Sequence, residues 1–316
     1  MILLAIESSC DETAVAVVEN GQRVLSNVIA SSAAKHAETK GVVPEVAARE
    51  HIKAIMPTVE LALKQADAQW GTIDAIAVTW EPGLLGSLLV GRATAQALSW
   101  AFQKPLIRVN HIHGHIYSTW LEQEDEPQFP ILTLTVSGGH NLLVYQCDHG
   151  DMEILGSTRD DSAGEAFDKV ARILGLGYPG GPAIEALARQ AVKKDLHFPR
   201  ARLDGYDFSF SGLKTSVLYH VKEHPAQDDA AKAEIAWAFQ EAAIDALLNP
   251  LFAAMEDRDV REVHLTGGVS ANLRFREKLS GGLQNFSDVR SRFPARMVYC
   301  TDNAAMIGAA GYFSKL

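Results

Sequence analysis

Apolar residues fall into short blocks over the N-terminal thirty or so positions: 2–6 (ILLAI), 14–18 (AVAVV) and about 24–30 (VLSNVIA). These blocks are rich in β-branched and aliphatic side chains, and Ser8-Ser9 and Asn20-Gly21 separate them, so they predict three strands. The period then changes. From Pro44, a residue suited to the first position of a helix, Val46, Ala47, Ile52, Ile55, Val59 and Leu63 repeat with helical spacing. Residues 73–79 (IDAIAVT) return to a strand pattern. A small-residue helix over 84–102 follows the turn Glu81-Pro82-Gly83, and 106–109 predict a short strand.

At Phe129 the pattern restarts. Residues 131–136 predict a strand, Ser137-Gly138-Gly139-His140 a turn, 142–146 a returning strand and 154–157 a third. Amphipathic helices are expected over 163–174 and from 183 to about 194, and a long alanine-rich helix from about 228 to 255. A strand over 260–266 meets Gly267-Gly268-Val269-Ser270-Ala271-Asn272, where a helix starts. The chain closes with Tyr299-Cys300-Thr301-Asp302-Asn303 and a small-residue helix from Ala304 that reads as buried. Aligned on their turns, Ser8 and Ser137 are 129 residues apart.

A β-β-β-α-β-α unit used twice is the signature of the α/β actin-like ATPase fold, shared by sugar kinases, in which two related domains close on a nucleotide. The expected division is an N-terminal lobe over 1–110 and a C-terminal lobe over 111–316. The second lobe carries helical insertions at about 160–255, and the last helix is free to pack back on the N-terminal lobe.

Composition narrows the class. The chain has 316 residues, 47% hydrophobic and 22% charged, as in a globular enzyme. The apolar run 1–6 lacks a basic leader and ends at Glu7, so it reads as a buried strand rather than a signal peptide. No stretch has the length of a membrane span. Three scattered cysteines without a CxxC suit a reducing cytosol, and a cytoplasmic location is expected. The net charge of −10 argues against unaided nucleic-acid binding. Such contact would rest on Lys193-Lys194-Arg200-Arg202 or Arg290-Arg292-Arg296, whose simpler reading is solvated surface, or on a partner protein.

The stretch 109–117 (VNHIHGHIY) holds the most suggestive chemistry. His111 and His115 are four apart and project from one face of a helix, which is half of a transition-metal site or simply a pair of surface or core histidines. Asp302 is the candidate third ligand, with a helix N-cap as its commoner use. A zinc-protease reading needs Glu directly after the first histidine, where Ile112 stands. Three glycine- or serine-rich turns follow apolar strands: 7–13 (ESSCDET), 137–140 (SGGH) and 266–272 (TGGVSAN). Backbone N–H groups in such turns bind phosphate, so together they favour a nucleotide site, and no GxxxxGK[ST] is present. Asp11 and Glu12 are either turn residues or an acid/base pair at the phosphates. Asp168 reads as solvated, and Cys10 as a small residue filling a turn rather than a nucleophile.

The motifs 6–13 (IESSCDET), 41–51 (GVVPEVAAREH), 137–140 (SGGH), 162–182 (SAGEAFDKVARILGLGYPGGP), 208–215 (FSFSGLKT), 267–274 (GGVSANLR) and 301–311 (TDNAAMIGAAG) span nearly the whole chain. In them the sequence resembles the bacterial tRNA threonylcarbamoyladenosine transferases, the TsaD group. The resemblance implies one metal ion, Fe2+ or Zn2+, on His111, His115 and Asp302. It implies that threonylcarbamoyl-AMP lies across Thr135, Val136, Ser137, Gly138 and Gly139, with Asp168, Gly181 and Asn272 in contact and Glu185 near the ribose, where the family often has Asp. ATP or ADP is a further expected ligand. The implied reaction moves the threonylcarbamoyl group to N6 of adenosine 37 of tRNA and releases AMP. From their place in the first phosphate turn, Asp11 or Glu12 is expected to accept the amine proton. The implied partners are tRNA, a degenerate paralogue of the TsaB type and a P-loop ATPase of the TsaE type. Two departures stand out: His113 replaces the family's Glu, and Trp80-Glu81 replace small residues before Pro82-Gly83. The alternatives are an actin-like small-molecule kinase or carbamoyltransferase, and a non-enzymatic actin-like scaffold.

Overall fold

A computed structural model of the chain describes residues 1–32, 42–201, 203–226, 228–286 and 288–314. Gly41 of the motif 41–51 and Arg202 of the first basic patch lie outside the described residues. In chain order the elements are β1 (Ile2–Glu7), β2 (Glu12–Glu19), β3 (Arg23–Ser31), α1 (Pro44–Gln65), β4 (Ala75–Glu81), α2 (Leu85–Phe102), β5 (Leu106–Asn110) and α3 (His111–Tyr117). They continue with β6 (Ile131–Val136), β7 (Asn141–Asp148), β8 (Asp151–Ser157), α4 (Ala163–Ile173), α5 (Gly180–Ala188), α6 (Ser211–Glu223), α7 (Asp229–Asp257), β9 (Glu262–Thr266), α8 (Leu273–Leu283), β10 (Arg290–Arg292) and α9 (Ala304–Phe313). Among the described residues, no helix is long and apolar enough to cross a membrane.

Two compact units result: Met1–Pro127 with Pro294–Leu316, and Gln128–Phe293. Each holds one five-stranded sheet, ordered β3-β2-β1-β4-β5 in the first and β10-β9-β6-β7-β8 in the second. Read from opposite ends the orders are the same. In both, a three-strand antiparallel meander adds two parallel strands at the first strand's other edge, β4 and β5 in one, β9 and β10 in the other. The repeat anticipated from the turns is therefore a repeat of topology.

In the first unit, β1 and β4 are buried on both faces and read as unbroken apolar runs. Leu4, Ile6, Ile76 and Val78 pack beneath α1 and α2. On the opposite face α9 lies flat on β1, β2 and β4. Its glycines permit this approach: a Cβ on Gly308 would stand 2.7 Å from Val18, and one on Gly311 2.9 Å from Ala77.

In the second unit the core joins β6 and β9 to α4 through α8, and Phe167, Phe208, Phe210, Phe239 and Phe275 are its large members. The helix expected over 183–194 instead runs from Gly180 to Ala188. Its start is fixed by Asp168, whose Oδ1 accepts from Gly180 N–H at 2.7 Å. Beyond Ala188 the chain leaves helical geometry, with Val192 exposed while Ala191, Leu196 and Phe198 still pack on the core. The turn after β9 is a short 3-10 segment, Gly268–Ala271, before α8 begins.

Candidate metal centre and ligand-binding turns

The first unit brings β1, β5 and the lead into α9 together through three local devices. Asn110 closes β5 and caps α3, its Oδ1 accepting from Ile112 N–H at 2.8 Å. The cap starts the helix at His111, so His111 and His115 rise on one face with ring centroids 4.8 Å apart and planes at 85°. Between them, Gly114 lets α9 come close, since a Cβ there would stand 2.8 Å from Ile307. The third device corrects the N-cap reading of Asp302. Asn303 caps α9, accepting from Met306 N–H at 3.1 Å. Asp302 is left to face the histidines, its Oδ1 3.2 Å from His115 Nε2 and 3.6 Å from His111 Nε2. One ligand atom from each of the three lies within 4.8 Å of the others.

The partners of each ring favour a metal. His111 Nδ1 lies 3.0 Å from Glu7 Oε2 and 3.2 Å from Ser9 Oγ, so Nε2 is the nitrogen turned to Asp302. A carboxylate behind a ligating imidazole fixes its tautomer and orientation. Glu7 is itself wholly buried, accepting from Ser9 N–H and from Thr79 Oγ1. Burial pushes the Glu7 pKa up, but the His111 charge and hydrogen bond, helped by Thr79, outweigh it and hold it below the usual range. Burial likewise lowers His111, and Glu7 and Asp302 overcome it, placing His111 at about 9. His115 is 1% exposed and neither of its ring nitrogens makes a hydrogen bond. An unsatisfied buried imidazole is costly, and coordination would satisfy it. The donor set of two imidazoles and a carboxylate fits one divalent transition metal. His113 is exposed, on the other face of α3, and stands outside the group.

The turn after β1 lies in the same unit. His51 of α1 holds it from one side, its Nδ1 2.7 Å from Thr13 Oγ1 and its Nε2 3.0 Å from the Cys10 carbonyl. Leu84 N–H donates to the Ser9 carbonyl at 2.7 Å. Asp11 is half-buried, and its carbonyl accepts from Ser32 Oγ at 2.7 Å. Glu12 accepts from Ser31 Oγ at 2.7 Å through Oε1, whereas its buried Oε2 has no hydrogen bond. Burial first, then the charges of Asp11 and Asp302, raise the Glu12 pKa. Burial and neighbouring carboxylates also push the Cys10 thiol well up, which suits a turn filler and not a nucleophile.

The turns of the second unit are built on close backbone contacts. Thr135 Oγ1 lies 2.9 Å from Thr266 Oγ1 across the β6–β9 pair, and both side chains are wholly buried, as is Val136. Gly267 follows with φ of +84°, where a Cβ would meet the Val136 carbonyl oxygen at 2.4 Å. In the turn 137–140, Ser137 N–H donates to the His140 carbonyl at 2.8 Å. Ser162, the cap of α4, donates to the Gly138 carbonyl at 2.6 Å. Gly138, Gly139 and Gly181 have no atom within 4 Å of where a Cβ would be, so their backbones are open to an approaching ligand.

Asp168 is not a solvated residue: it pins the loop 175–180, and burial raises its pKa. Glu185 Oε1 accepts from Leu273 N–H at 3.0 Å and from Arg189, which joins α5 to the start of α8. Asn272 caps α8 through Oδ1 and donates from Nδ2 to Gln240 Oε1 at 2.9 Å. Thus Thr135 to Gly139, Asp168, Gly181, Glu185 and Asn272 fall in the second unit, and the metal group, Asp11 and Glu12 in the first. Sequence reasoning placed Glu7, Ser9 and Thr266 only as members of candidate turns and gave no role to Ser162 or Gln240. Glu7 left a further signal, an ionisable residue directly ending a fully apolar strand.

Comparison with known proteins gives this arrangement its family. Residues 23–309 match the model of the TsaD family, described as tRNA N6-adenosine threonylcarbamoyltransferase. The chain belongs to this family. Two curated proteins of that name agree: one from Symbiobacterium thermophilum, 51% identical over 99% of this chain and 91% of its own length, and one from Clostridium novyi, 49% identical over 99% and 92%. The chain is accordingly an acyltransferase of the TsaD type. Solved structures show the fold. A T. kodakarensis HypF matches with a TM-score of 0.68 at 16% identity, over 99% of this chain and 48% of its own. The Acidaminococcus fermentans (R)-2-hydroxyglutaryl-CoA dehydratase component A matches at 0.58 and 14%, over 100% and 98%. The TsaD chain has the duplicated actin-like ATPase fold.

Proposed function

We propose that this chain transfers the threonylcarbamoyl group of threonylcarbamoyl-AMP to N6 of adenosine 37 in tRNAs reading codons that begin with A, with release of AMP. The gathering of His111, His115 and Asp302, backed by Glu7, in a member of this family carries the reading. Those three residues would hold one divalent ion, Fe2+ by preference and Zn2+ as the alternative. When bound, the ion would supply Lewis acidity toward the substrate's oxygens.

The chain's own groups account for the remaining work. The open backbones of Gly138 and Gly139 offer N–H groups to phosphate and to charge developing on the leaving AMP. Thr135 and Val136 contribute through their backbone, because both side chains are buried, Thr135 against Thr266 and Val136 in the core. Asp168 pins the loop before α5, Asn272 caps α8, Gly181 leaves its backbone open, and Glu185 serves the ribose. The N6 lone pair attacks the carbamoyl carbon. The bond from that carbon to the phosphate oxygen breaks, and AMP leaves with its electron pair. Of Asp11 and Glu12, Glu12 is the better candidate proton acceptor, with a buried Oε2 that makes no hydrogen bond and a raised pKa. ATP or ADP is a further ligand for the same turns.

The net charge of −10 supports tRNA binding mainly within a complex, with a paralogue of the TsaB type and a P-loop ATPase of the TsaE type, in the cytoplasm. The test is nucleoside mass spectrometry on unmodified tRNA incubated with threonylcarbamoyl-AMP, the partners and either this chain or its His111→Ala/His115→Ala variant. Threonylcarbamoyladenosine formed only with the intact histidines is the expected result. Turnover of ATP or carbamoyl phosphate without tRNA would turn the assignment to a small-molecule kinase or carbamoyltransferase.

A further inference from the structure

Three arginines of the basic patches legible in the sequence are neutralised. Arg200 pairs with Asp245, Arg292 with Glu262 and Arg296 with Glu122. Outside them, Lys278 and Arg274 pair with Glu241, and Lys169 and Lys214 with Asp161. Two arginines of the first unit differ. Arg108, exposed on the edge strand β5, holds its guanidinium 4.2 Å from the ring centre of Trp80, and Arg92 of α2 holds its own at 4.8 Å from the same ring. Neither has an ion pair or hydrogen bond among the described residues, and Arg92 Nε is buried with no partner at all. Two like charges thus stand no more than about 9 Å apart on a half-buried indole, with no ion pair to a carboxylate among the described residues.

Each guanidinium stacked on an aromatic face still presents its edge N–H groups, in the fork that matches phosphate oxygens. Stacking also fixes the head group, so less side-chain freedom is lost when an anion arrives. In a chain of net charge −10, cations that are left unpaired are the ones available to a polyanion. The geometry points to Arg92, Trp80 and Arg108 as a contact site for the phosphate backbone of the RNA substrate. The site rests on the tRNA reading above for the identity of its occupant. Its place in the fold agrees: β5 carries Arg108 and then runs directly into His111, three residues on.

The test is the salt dependence of binding of an unmodified tRNA transcript with adenosine at position 37 to the full chain, from about 50 mM salt upward. Each phosphate contact contributes roughly 0.7 to 0.9 to the slope of log K against log salt, so Arg92→Ala/Arg108→Ala is expected to flatten it by roughly 1.4 to 1.8. The Arg92→Lys/Arg108→Lys variant keeps the charges and is expected to retain the slope. Metal uptake and thermal melting report that each variant is folded. A folded alanine variant with an unchanged slope overturns the site. So does an unchanged slope with loss of assembly with the protein partners, which would make this face a protein interface. Product formation by the unaltered chain is followed in parallel. Product with no change of slope defeats this inference alone, whereas no product from a chain whose slope responds defeats the transferase reading and leaves the anion site standing.

Discussion

Glu7 Oε2 and His111 Nδ1 lie 3.0 Å apart, joining the last residue of the first strand to the first residue of the helix that follows the fifth. The contact turns His111 Nε2 toward Asp302 and places a buried carboxylate behind the candidate metal group.

Replacing Glu7 with Gln is expected to lower metal affinity by roughly 10- to 100-fold, as for other carboxylates behind a ligating histidine. Competition against a chromophoric chelator measures it. Unchanged affinity in a folded Glu7→Gln protein would show that the carboxylate does not support the site.

Glu262, Arg292 and His264 form a buried cluster in the second unit, with Arg292 Nε 2.9 Å and His264 Nε2 3.0 Å from Glu262 Oε2. Burial alone would raise the Glu262 pKa, but the hydrogen bonds and charges of His264 and Arg292 hold it at about 2. A depressed folded pKa means stability that is fully present above the unfolded value, about 4.3, and lost as pH falls toward about 2. Urea midpoints at pH 6, 4 and 3 should fall in that order. Glu262→Ala should cost about 3–5 kcal/mol by removing the carboxylate of a buried ion pair, and should flatten this pH dependence.

Two glycines of the second unit should respond in opposite directions. At Gly267, with φ of +84° and the Val136 carbonyl 2.4 Å from any Cβ, alanine should destabilise by about 1–3 kcal/mol. At Gly281, inside α8 and facing open space, alanine should stabilise by about 0.4–1 kcal/mol. Denaturant melts of the two variants settle the contrast, and equal effects would remove the steric argument.

Gln240→Ala removes the acceptor for Asn272 Nδ2. Leaving that buried amide unpaired should cost about 1–3 kcal/mol. If Asn272 contacts substrate, KM for threonylcarbamoyl-AMP should rise more than kcat falls. A fall in stability with unaltered kinetics would restrict Gln240 to a structural role.

The amino-acid sequence by itself determined the elements and their repetition. Apolar blocks at strand spacing, helical runs and glycine turns are local properties, written in neighbouring residues, and Ser8 and Ser137 mark the restart without reference to anything distant. The four-residue spacing of His111 and His115 is likewise local, and a capped two-turn helix is enough to align them. Element ends were less legible, as at Gly180, because Asp168 fixes that helix start from another helix. Only the tertiary structure decided that Asp302 faces the histidines instead of capping α9, since this depended on Asn303 taking the cap and on α9 packing against α3. Tertiary structure also decided which charges are free. Arg200, Arg292 and Arg296 look basic in the chain and are neutralised by carboxylates far away in sequence, while Trp80, Arg92 and Arg108 meet only because β4, α2 and β5 fold together. Charge acts through space, and the distances that set it come from packing rather than from the order of residues.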